Sequence, residues 1–422
     1  MVRGGRWFGL RVLYDRTMPP TLTELEPSLV ESEALADEGA ERIAWAGSNM
    51  PVLAGLHEEF AREQPLAGRR IGMCLHVEMK TAVLIGVLRA GGAEIVWTGS
   101  PATTDDGVAA AAARDEGIVV YSRRADRMDD HRRHVERVLA SDPDLLLDNG
   151  ADLIAAAADG AAPRVTAATE ETTTGRNRLL EELAGRVPFP VVVINDSPIK
   201  LLFENEHGIG PAVVDGFMRA TNSLIAGKTF AVVGYGSCGR SLARTLRALG
   251  AIVIVVEREE VRALEAAFDG MQVAGLRSAV GRADGVFTVT GRPRVLRGDD
   301  LATVRDGAML ANVGHFGNEI AVDELETLAE ERRRVAPQVV EYRLPGGRAV
   351  RLLAGGEMLN LAAATGHQMQ IMDLGFALQA HALRELALRP ERFSPGYQAV
   401  PPEIDRAVAA AGLRALSSVE TG

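Results

Sequence analysis

Cysteine is nearly absent from this chain: 2 in 422 residues, Cys74 in an apolar run and Cys238 in a glycine turn. A disulfide framework is therefore not expected, and a reducing, cytoplasmic setting is. Positive charge is also in deficit. Lys and Arg number 46 against 57 Asp and Glu, a formal net charge of −11, which argues against nucleic acid as a partner because phosphate binding needs concentrated cations. No apolar run approaches the roughly 18 residues that cross a bilayer, so no membrane partner is expected. Metal-ligand spacing is scarce as well. His131 and His134 stand three apart on a charged helical stretch with no third ligand nearby, so no metal is expected and the pair reads as a solvated face. The first 17 residues are basic and aromatic but lack an uninterrupted apolar core and a small-residue cleavage site. Residues 1–19 therefore read as a disordered extension, or Met18 as the true start.

What is present is the balance of a globular protein, 47% hydrophobic and 24% charged, long enough for two or three domains. From Arg69 onward short apolar runs alternate with helical patterns. RIGMCL, AEIVW, GIVVY, PDLLLD and PVVVIN read as strands, and residues 78–89 and 128–139 as helices. The Ala-rich pieces 108–113 and 155–162 read as helix surface and connection. A helical stretch over 211–226 leads into a second unit containing GVFTVTG and GAMLANVG, and residues 368–386 read as a helix packing back on the first. Alternating strand and helix implies mainly parallel sheets. The expected fold is α/β: two Rossmann-like doubly wound parallel-sheet domains joined by a hinge, with the site in the cleft between them. Residues 20–205 and 367–422 form a discontinuous substrate domain in this reading, and 206–366 a nucleotide domain.

The nucleotide assignment rests on residues 230–257, FAVVGYGSCGRSLARTLRALGAIVIVVE. This is a strand, a glycine turn, an amphipathic helix and a second strand closing on an acid. Gly234, Gly236 and Gly239 have the G-x-G-x-x-G spacing, which serves a tight turn, close approach to a pyrophosphate, and close helix–strand packing. The helix start aims free N–H groups at phosphate. Glu257 suits a ribose 2′-hydroxyl and would repel a 2′-phosphate, so the cofactor is read as NAD.

Six polar clusters sit at strand ends: HVEMKT (76–81), DNGAD (148–152), EETTTG (170–175), NDSPIK followed by FEN (195–205), VGHFGNE (313–319) and ATGH (364–367). In this order around the fingerprint, over residues 45–413, the chain resembles the S-adenosylhomocysteine hydrolase family. HxExKTA and GYGxCGR are similar to its archaeal and thermophile branch, which includes S-inosylhomocysteine hydrolases. The resemblance implies reversible hydrolysis of an S-nucleosidyl-L-homocysteine with tightly held NAD. It proceeds by transient oxidation of the 3′-hydroxyl, loss of the acidified C4′ proton, elimination of homocysteine, water addition and re-reduction.

The same resemblance implies roles residue by residue. Lys200 accepts the 3′-hydroxyl proton, which needs a lowered pKa. His76 and His315 handle protons at the 5′ position, Glu171 holds ribose hydroxyls, and His367 contacts substrate beside the hinge. Asn205, Glu204, Asp148 and Asn149 complete the catalytic set, with Glu78, Lys80, Thr81 and Met372 on the substrate. Thr172, Thr173, Thr174, Thr290, Asn312 and Asn360 face the cofactor. A homodimer or homotetramer is implied.

Departures from the family pattern are specific. The second aspartate of its DDGGD segment is Asn149, and an amide cannot take a proton at neutral pH. The aspartate four residues after the catalytic lysine is Glu204, that after GHF is Gly317, and AEGR reads Ala354-Gly355-Gly356-Glu357. The chain stops at Gly422 without the Lys- and Tyr-containing arm of many members. Lys80 stands near the base-reading position. As a pure donor it suits a hypoxanthine carbonyl, unless Glu78 or Asp152 neutralises it. Asn149 motivates an alternative, a nucleoside 3′-oxidoreductase or epimerase without 5′ cleavage. A non-catalytic regulatory paralogue is a third.

Overall fold

A computed structural model describes residues 19–100, 103–314 and 318–416. The extension expected at the N-terminus falls almost wholly outside the described residues, as do His315 and Gly317.

The first unit contributes β1 (Arg70–Cys74), β2 (Glu94–Thr98), β3 (Ile118–Tyr121), β4 (Leu145–Asp148), β5 (Ala167–Glu170) and β6 (Pro190–Val193). The second contributes β7 (Thr229–Val233), β8 (Ile252–Val256), β9 (Gln272–Val273), β10 (Gly285–Thr288) and β11 (Met309–Asn312). It ends with β12 (Glu331–Ala336), β13 (Val339–Arg343) and β14 (Ala349–Leu353). The chain then returns, and β15 (Gly396–Ala399) pairs parallel with β6. The first sheet runs β15-β6-β5-β4-β1-β2-β3 and the second β12-β13-β14-β11-β10-β7-β8-β9. The first is parallel throughout, and the second is parallel from β14 to β9 with β12 and β13 antiparallel at its edge. Both contain the doubly wound strand order, with switch points between β1 and β4 and between β7 and β10. Ligand crevices are expected at those two points.

These strands form because β-branched runs such as IVVY, PVVV and IVIVV suit a pleat covered on both faces. In β1, Ile71 and Met73 enter the core on one face while Cys74 enters the other. The second core is built around Phe217, Phe230 and Phe287, whose ring centroids lie 5.4–5.7 Å apart. The two edge-on pairs, Phe217–Phe230 and Phe217–Phe287, add about 1 kcal/mol each beyond burial.

Helices are set by their caps. Glu78 caps α1 (Met79–Ala90), and α2 (Met128–Ala140) follows β3. Thr172 caps α3 (Thr173–Leu180). Next come α4 (Ile209–Thr221), α5 (Ser237–Ala248) and α6 (Met369–Leu388). Helix α4 stops short of the expected 226 because Asn222 turns left-handed at φ 47° and caps it. The returning α6 buries Phe376, Ala377, Ala380 and Leu383 in the core of the first sheet.

Two expectations are corrected. Ala109, Ala110 and Ala112 are buried rather than helix surface. Their small side chains accompany a close helix contact in which a Cβ on Gly39 would lie 1.9 Å from the Gly107 oxygen. His131 and His134 are also buried, not a solvated face. His131 sits between the Gly99 carbonyl and Asp152, and His134 lies 3.0 Å from Asp126. Burial lowers the pKa of His134, whereas Asp152 outweighs burial and raises that of His131. Among the described residues no helix is long and apolar enough to cross a membrane, and no group of three His, Cys, Asp or Glu could hold a metal ion.

Candidate active site

The C-terminal ends of β1, β4, β5 and β6 carry the first set of candidate residues. After β1, His76 Nδ1 lies 3.0 Å from Thr103 Oγ1. Glu78 then accepts the backbone N–H groups of Lys80 and Thr81 and the Thr81 hydroxyl. Lys80 is buried, with Nζ 2.6 Å from Glu78 and 2.7 Å from the Thr365 carbonyl. Of the two acids named for it in the sequence, Glu78 is the one it meets. One ammonium N–H remains for a ligand.

After β4, Asp148 accepts the N–H groups of Asn149 and Ile154. Burial first, then Asp152, pushes its carboxyl up to about 7. Asn149 is buried and its Oδ1 has no hydrogen-bond partner among the described residues. At the end of β5, Glu170 takes the N–H groups of Gly150, Ala151 and Thr172 and the Thr172 hydroxyl. It fixes the Asn149 loop, whose Ala151 sits at φ 61°. Burial and Asp148 push Glu170 up to about 8 against the pull of those donors. Gly175 completes the motif sterically, since a Cβ there would lie 2.1 Å from the Glu170 carboxyl carbon. The three threonines thus open a helix rather than form a strand. Thr172 caps it, the Thr173 hydroxyl donates to Asn195, and Thr174 is half-buried.

Past β6 the chain winds into a π-helical segment, Lys200–Gly208. Wide turns of this kind are rare and concentrate at functional sites. The winding stacks Lys200 against both Glu204 at 2.7 Å and Asn205 at 3.2 Å. The expected lowering of the Lys200 pKa is not found. Burial does oppose the charge, but Glu204 and Glu171 outweigh it and hold the pKa above the ordinary lysine value. Burial, then Glu204, pushes Glu171 up to about 8, while Lys200 pulls the other way. Gly375 on α6 gives the longer Glu204 its room, because a Cβ there would sit 2.9 Å from Glu204 Oε2. Met372, on the same helix, is buried against the first-sheet core.

Both chain crossings between the units meet here. A Cβ on Gly208 would lie 2.6 Å from the His367 ring. Burial pushes His367 down to about 4, so it is neutral, and its Nε2 has no hydrogen-bond partner among the described residues. Buried, unpartnered acceptors also include Glu171 Oε1 and Glu204 Oε2. Buried polar atoms are ordinarily satisfied, so this concentration marks where a polar ligand belongs.

On the second sheet, the glycine turn follows β7 at its switch point. Gly234 has φ 107°, and a Cβ on Gly239 would lie 2.0 Å from the Gly234 oxygen. Gly236 caps α5 without a side chain, leaving its first N–H groups free for an anion. Glu257 accepts the N–H groups of Tyr235, Arg258 and Glu259, which hold its carboxyl ionised below the usual range despite burial. Asn360 is buried with Oδ1 unpartnered. These features fit a dinucleotide: a cradle that any Cβ would fill, an acid at the ribose position, and an orphaned amide. Thr290 is instead engaged by Glu319, and Asn312 by Gly314 and Thr288.

The two sets converge. Helix α5 packs on the π-helical segment through Arg240–Glu206 at 2.6 Å and on the start of α4 through Ser241, which accepts the N–H of Gly210. Cys238 is close enough to Lys200 that each shifts the other's charge balance. Sequence reasoning missed three groups. Gln379 donates to Glu171 from α6, Glu170 staples the Asn149 loop, and Glu319 caps the Thr290 turn. Only Glu170 and Glu319, inside quoted motifs, carried any sequence signal.

The family models agree with this geometry. One described as the NAD binding domain of S-adenosyl-L-homocysteine hydrolase matches residues 205–366, and one described as S-adenosyl-L-homocysteine hydrolase matches 28–166. The S-inosyl-L-homocysteine hydrolase of Methanopyrus kandleri is 46% identical over 386 residues, 90% of this chain and 91% of that protein. The adenosylhomocysteinase of Aquifex aeolicus is 42% identical over 393 residues, 92% and 94% of the two chains. That of Thermotoga maritima is 44% identical over 377 residues, 88% and 93%. The chain belongs to the S-adenosyl-L-homocysteine hydrolase family.

Proposed function

We propose that this chain reversibly hydrolyses an S-nucleosidyl-L-homocysteine to a nucleoside and homocysteine, with NAD as resident cofactor and adenosine or inosine as the nucleoside. One observation carries the reading: a buried lysine, held by Glu204 and within reach of Glu171, lies close to Cys238 in the first turn of the glycine-fingerprint helix. NAD bound there supplies reversible oxidation of a carbinol to a ketone. Gly234, Gly236 and Gly239 would hold its pyrophosphate, Glu257 its ribose, and Asn360 its nicotinamide side, with Thr172–Thr174 approaching from the first unit.

The chain's own groups do the rest. Lys200 takes the 3′-hydroxyl proton after passing its own to bulk or to the carboxylate pair Glu171–Glu204. Glu171 orients the ribose hydroxyls and Asn205 keeps the ammonium in place. A ketone at C3′ acidifies C4′–H, so elimination of a thiolate becomes feasible where direct hydrolysis of an unactivated thioether is slow. His76 and His315 serve the 5′ carbon and the water that adds there. His367, neutral and buried, contacts substrate at the hinge.

Lys80 bears on the base. Two of its N–H groups are taken, and the third suits a carbonyl oxygen. The substrate unit is assigned to 20–205 with 367–422 and the cofactor unit to 206–366, in a cytoplasmic homodimer or homotetramer. Val261, Leu264 and Phe268 form an exposed apolar stripe on one helix that supports self-association. The test is incubation of NAD-loaded protein with S-adenosyl- and S-inosylhomocysteine while free homocysteine is assayed; release from neither refutes the reading.

Asn149 favours a second reading, oxidation or epimerisation at C3′ without cleavage, because its buried amide has no proton to give or take as a general acid–base. Solvent deuterium entering C4′ with the 5′ group retained, and no homocysteine released, would select it.

A further inference from the structure

A cavity of about 540 Å³ lies where the two units meet, with Arg124, Arg127 and Arg132 on one wall beside Asp126 and Asp129, which Arg123, His134 and Arg132 already engage, and Glu357 on the other. Its walls connect to the residues assigned to the 5′ carbon. Arg124 donates to the Thr104 carbonyl at 3.1 Å, and the preceding Thr103 holds His76. On the opposite wall, Glu357 precedes Met358, which bridges to Asn312 at the end of β11, three residues before His315. The cavity therefore borders the segment that holds His76, to which the proposed function gives the 5′ carbon.

Some of the charges on these walls remain available to a ligand. The Arg124 guanidinium donates to two carbonyls, those of Thr104 and Ala362, and among the described residues hydrogen-bonds to no carboxylate, although its charge acts on Asp106 through space. Among the described residues no ion pair joins the Arg127 guanidinium to an acid. Among the described residues no ion pair joins Glu357 to a cation either, and burial alone raises its carboxyl pKa. Arg132 differs, being paired with Asp129. Unpaired cations facing an unpaired, partly buried acid across one cavity form a receptor for a group carrying both signs. An α-amino acid head is such a group: its carboxylate calls for guanidinium and its ammonium for carboxylate. Position 357 is also where the chain departs from AEGR, so this wall is acidic here.

We propose that this cavity is the subsite for the amino-acid head of homocysteine, with Arg124 and Arg127 on the α-carboxylate and Glu357 on the α-ammonium. The assignment rests on the hydrolase reading above. It makes Arg127 and Glu357 specificity-determining residues for the thiol half of the substrate. Neither has a part in the nucleoside half.

The test runs the reaction in the synthetic direction with NAD-loaded full-length protein. KM is measured for homocysteine, for its desamino analogue and for its decarboxylated analogue. In wild type both analogues are expected to react with KM raised about tenfold, the cost of one charge-assisted contact. Glu357→Gln should raise the homocysteine KM about tenfold and abolish discrimination against the desamino analogue only. Arg127→Gln should raise the homocysteine KM several-fold and narrow discrimination against the decarboxylated analogue only, Arg124 remaining on the carboxylate, while the nucleoside KM is retained in both. Wild-type turnover with homocysteine KM values in both variants within about twofold of normal overturns the subsite and leaves the hydrolase reading standing. A wild-type protein that neither forms nor cleaves the thioether overturns both.

Discussion

Replacing Glu204 by Gln tests the central proton transfer. Lys200 can accept a proton from the 3′-hydroxyl only after losing its own. In the folded chain the Glu204 carboxylate at 2.7 Å and the nearby Glu171 hold that proton on, against burial. Two unit charges about 4 Å apart at an effective dielectric of about 20 attract by about 4 kcal/mol. One pH unit corresponds to about 1.4 kcal/mol. Deleting the Glu204 charge must therefore move the pH at which Lys200 deprotonates downward by at least about one unit, even if two thirds of the attraction is lost to relaxation. The assay is single-turnover NADH absorbance on nucleoside alone, followed from about pH 6 to about pH 10, where lysine and its neighbours titrate. Wild type should show a rate rising with pH. Glu204→Gln should show the same limb displaced to lower pH, with a reduced plateau because the ammonium has lost its anchor. Glu204→Asp, which keeps the charge one methylene further back, should restore the limb towards its wild-type position. A limb that stays put or moves upward in Glu204→Gln refutes the assignment of Lys200 as the base.

Three further outcomes follow from the same contacts. Gly239→Ala places a Cβ 2.0 Å from the Gly234 oxygen, backbone against backbone, so NAD retained through purification should fall at least about tenfold; full retention would contradict the cradle. Lys80→Met strands Glu78 and the Thr365 carbonyl in a buried setting and should lower unfolding free energy by about 3 kcal/mol in denaturant titration; a change below about 0.5 kcal/mol would show the tie to be idle. Asp148 and Glu170, at about 7 and about 8, have folded pKa values above those of an unfolded chain. Each therefore lends stability below about pH 4 that is lost as pH rises through its folded value. Melting temperature of the apoprotein should accordingly fall between about pH 5 and about pH 8.5, and Glu170→Gln should flatten that slope.

Most of the parallel core was legible because a strand covered on both faces must be a run of β-branched residues, and IVVY, PVVV and IVIVV announce themselves. Six strands did not. AATE is too short and small-sided to stand out, QV is two exposed residues, GYQA is an edge without an apolar run, ERRRVA is an exposed antiparallel edge with four charged residues, and VVEYR and AVRLL interrupt their apolar residues with charge. The candidate site was legible as residue types at strand ends, but their charge states were not. Lys200 reads locally as a lysine to be discharged by burial. What prevents this is Glu171, from a different strand, together with the π-helical winding that lays Glu204 over it. His131 and His134 fail the same way: the charged helix predicts exposure, and only the tertiary approach of Gly99, Asp126 and Asp152 explains why imidazoles belong inside. Pattern reports which side chains share a face; it does not report which foreign carboxylate arrives beside them.

The segment 360–367 joins these observations. It carries the orphaned Asn360 amide and the neutral His367, and it is one of the two chain crossings between the units. Two cations of the first unit hold its carbonyls: Arg124 at Ala362 and Lys80 at Thr365, each at 2.7 Å. Bonds from a charged donor to a carbonyl are individually worth about 1.5–3 kcal/mol, and here both join the same short segment to the same unit. Any swing of the cofactor unit away from the first must stretch or break them, or carry the cations along. Under the proposed assignments both cations would also stand at ligand ends, Lys80 beside the base position and Arg124 in the cavity given to the amino-acid head. The two ends of a nucleoside thioether would then touch the two ties that hold the hinge, which links filling of the site to closure through identified hydrogen bonds rather than through general flexibility.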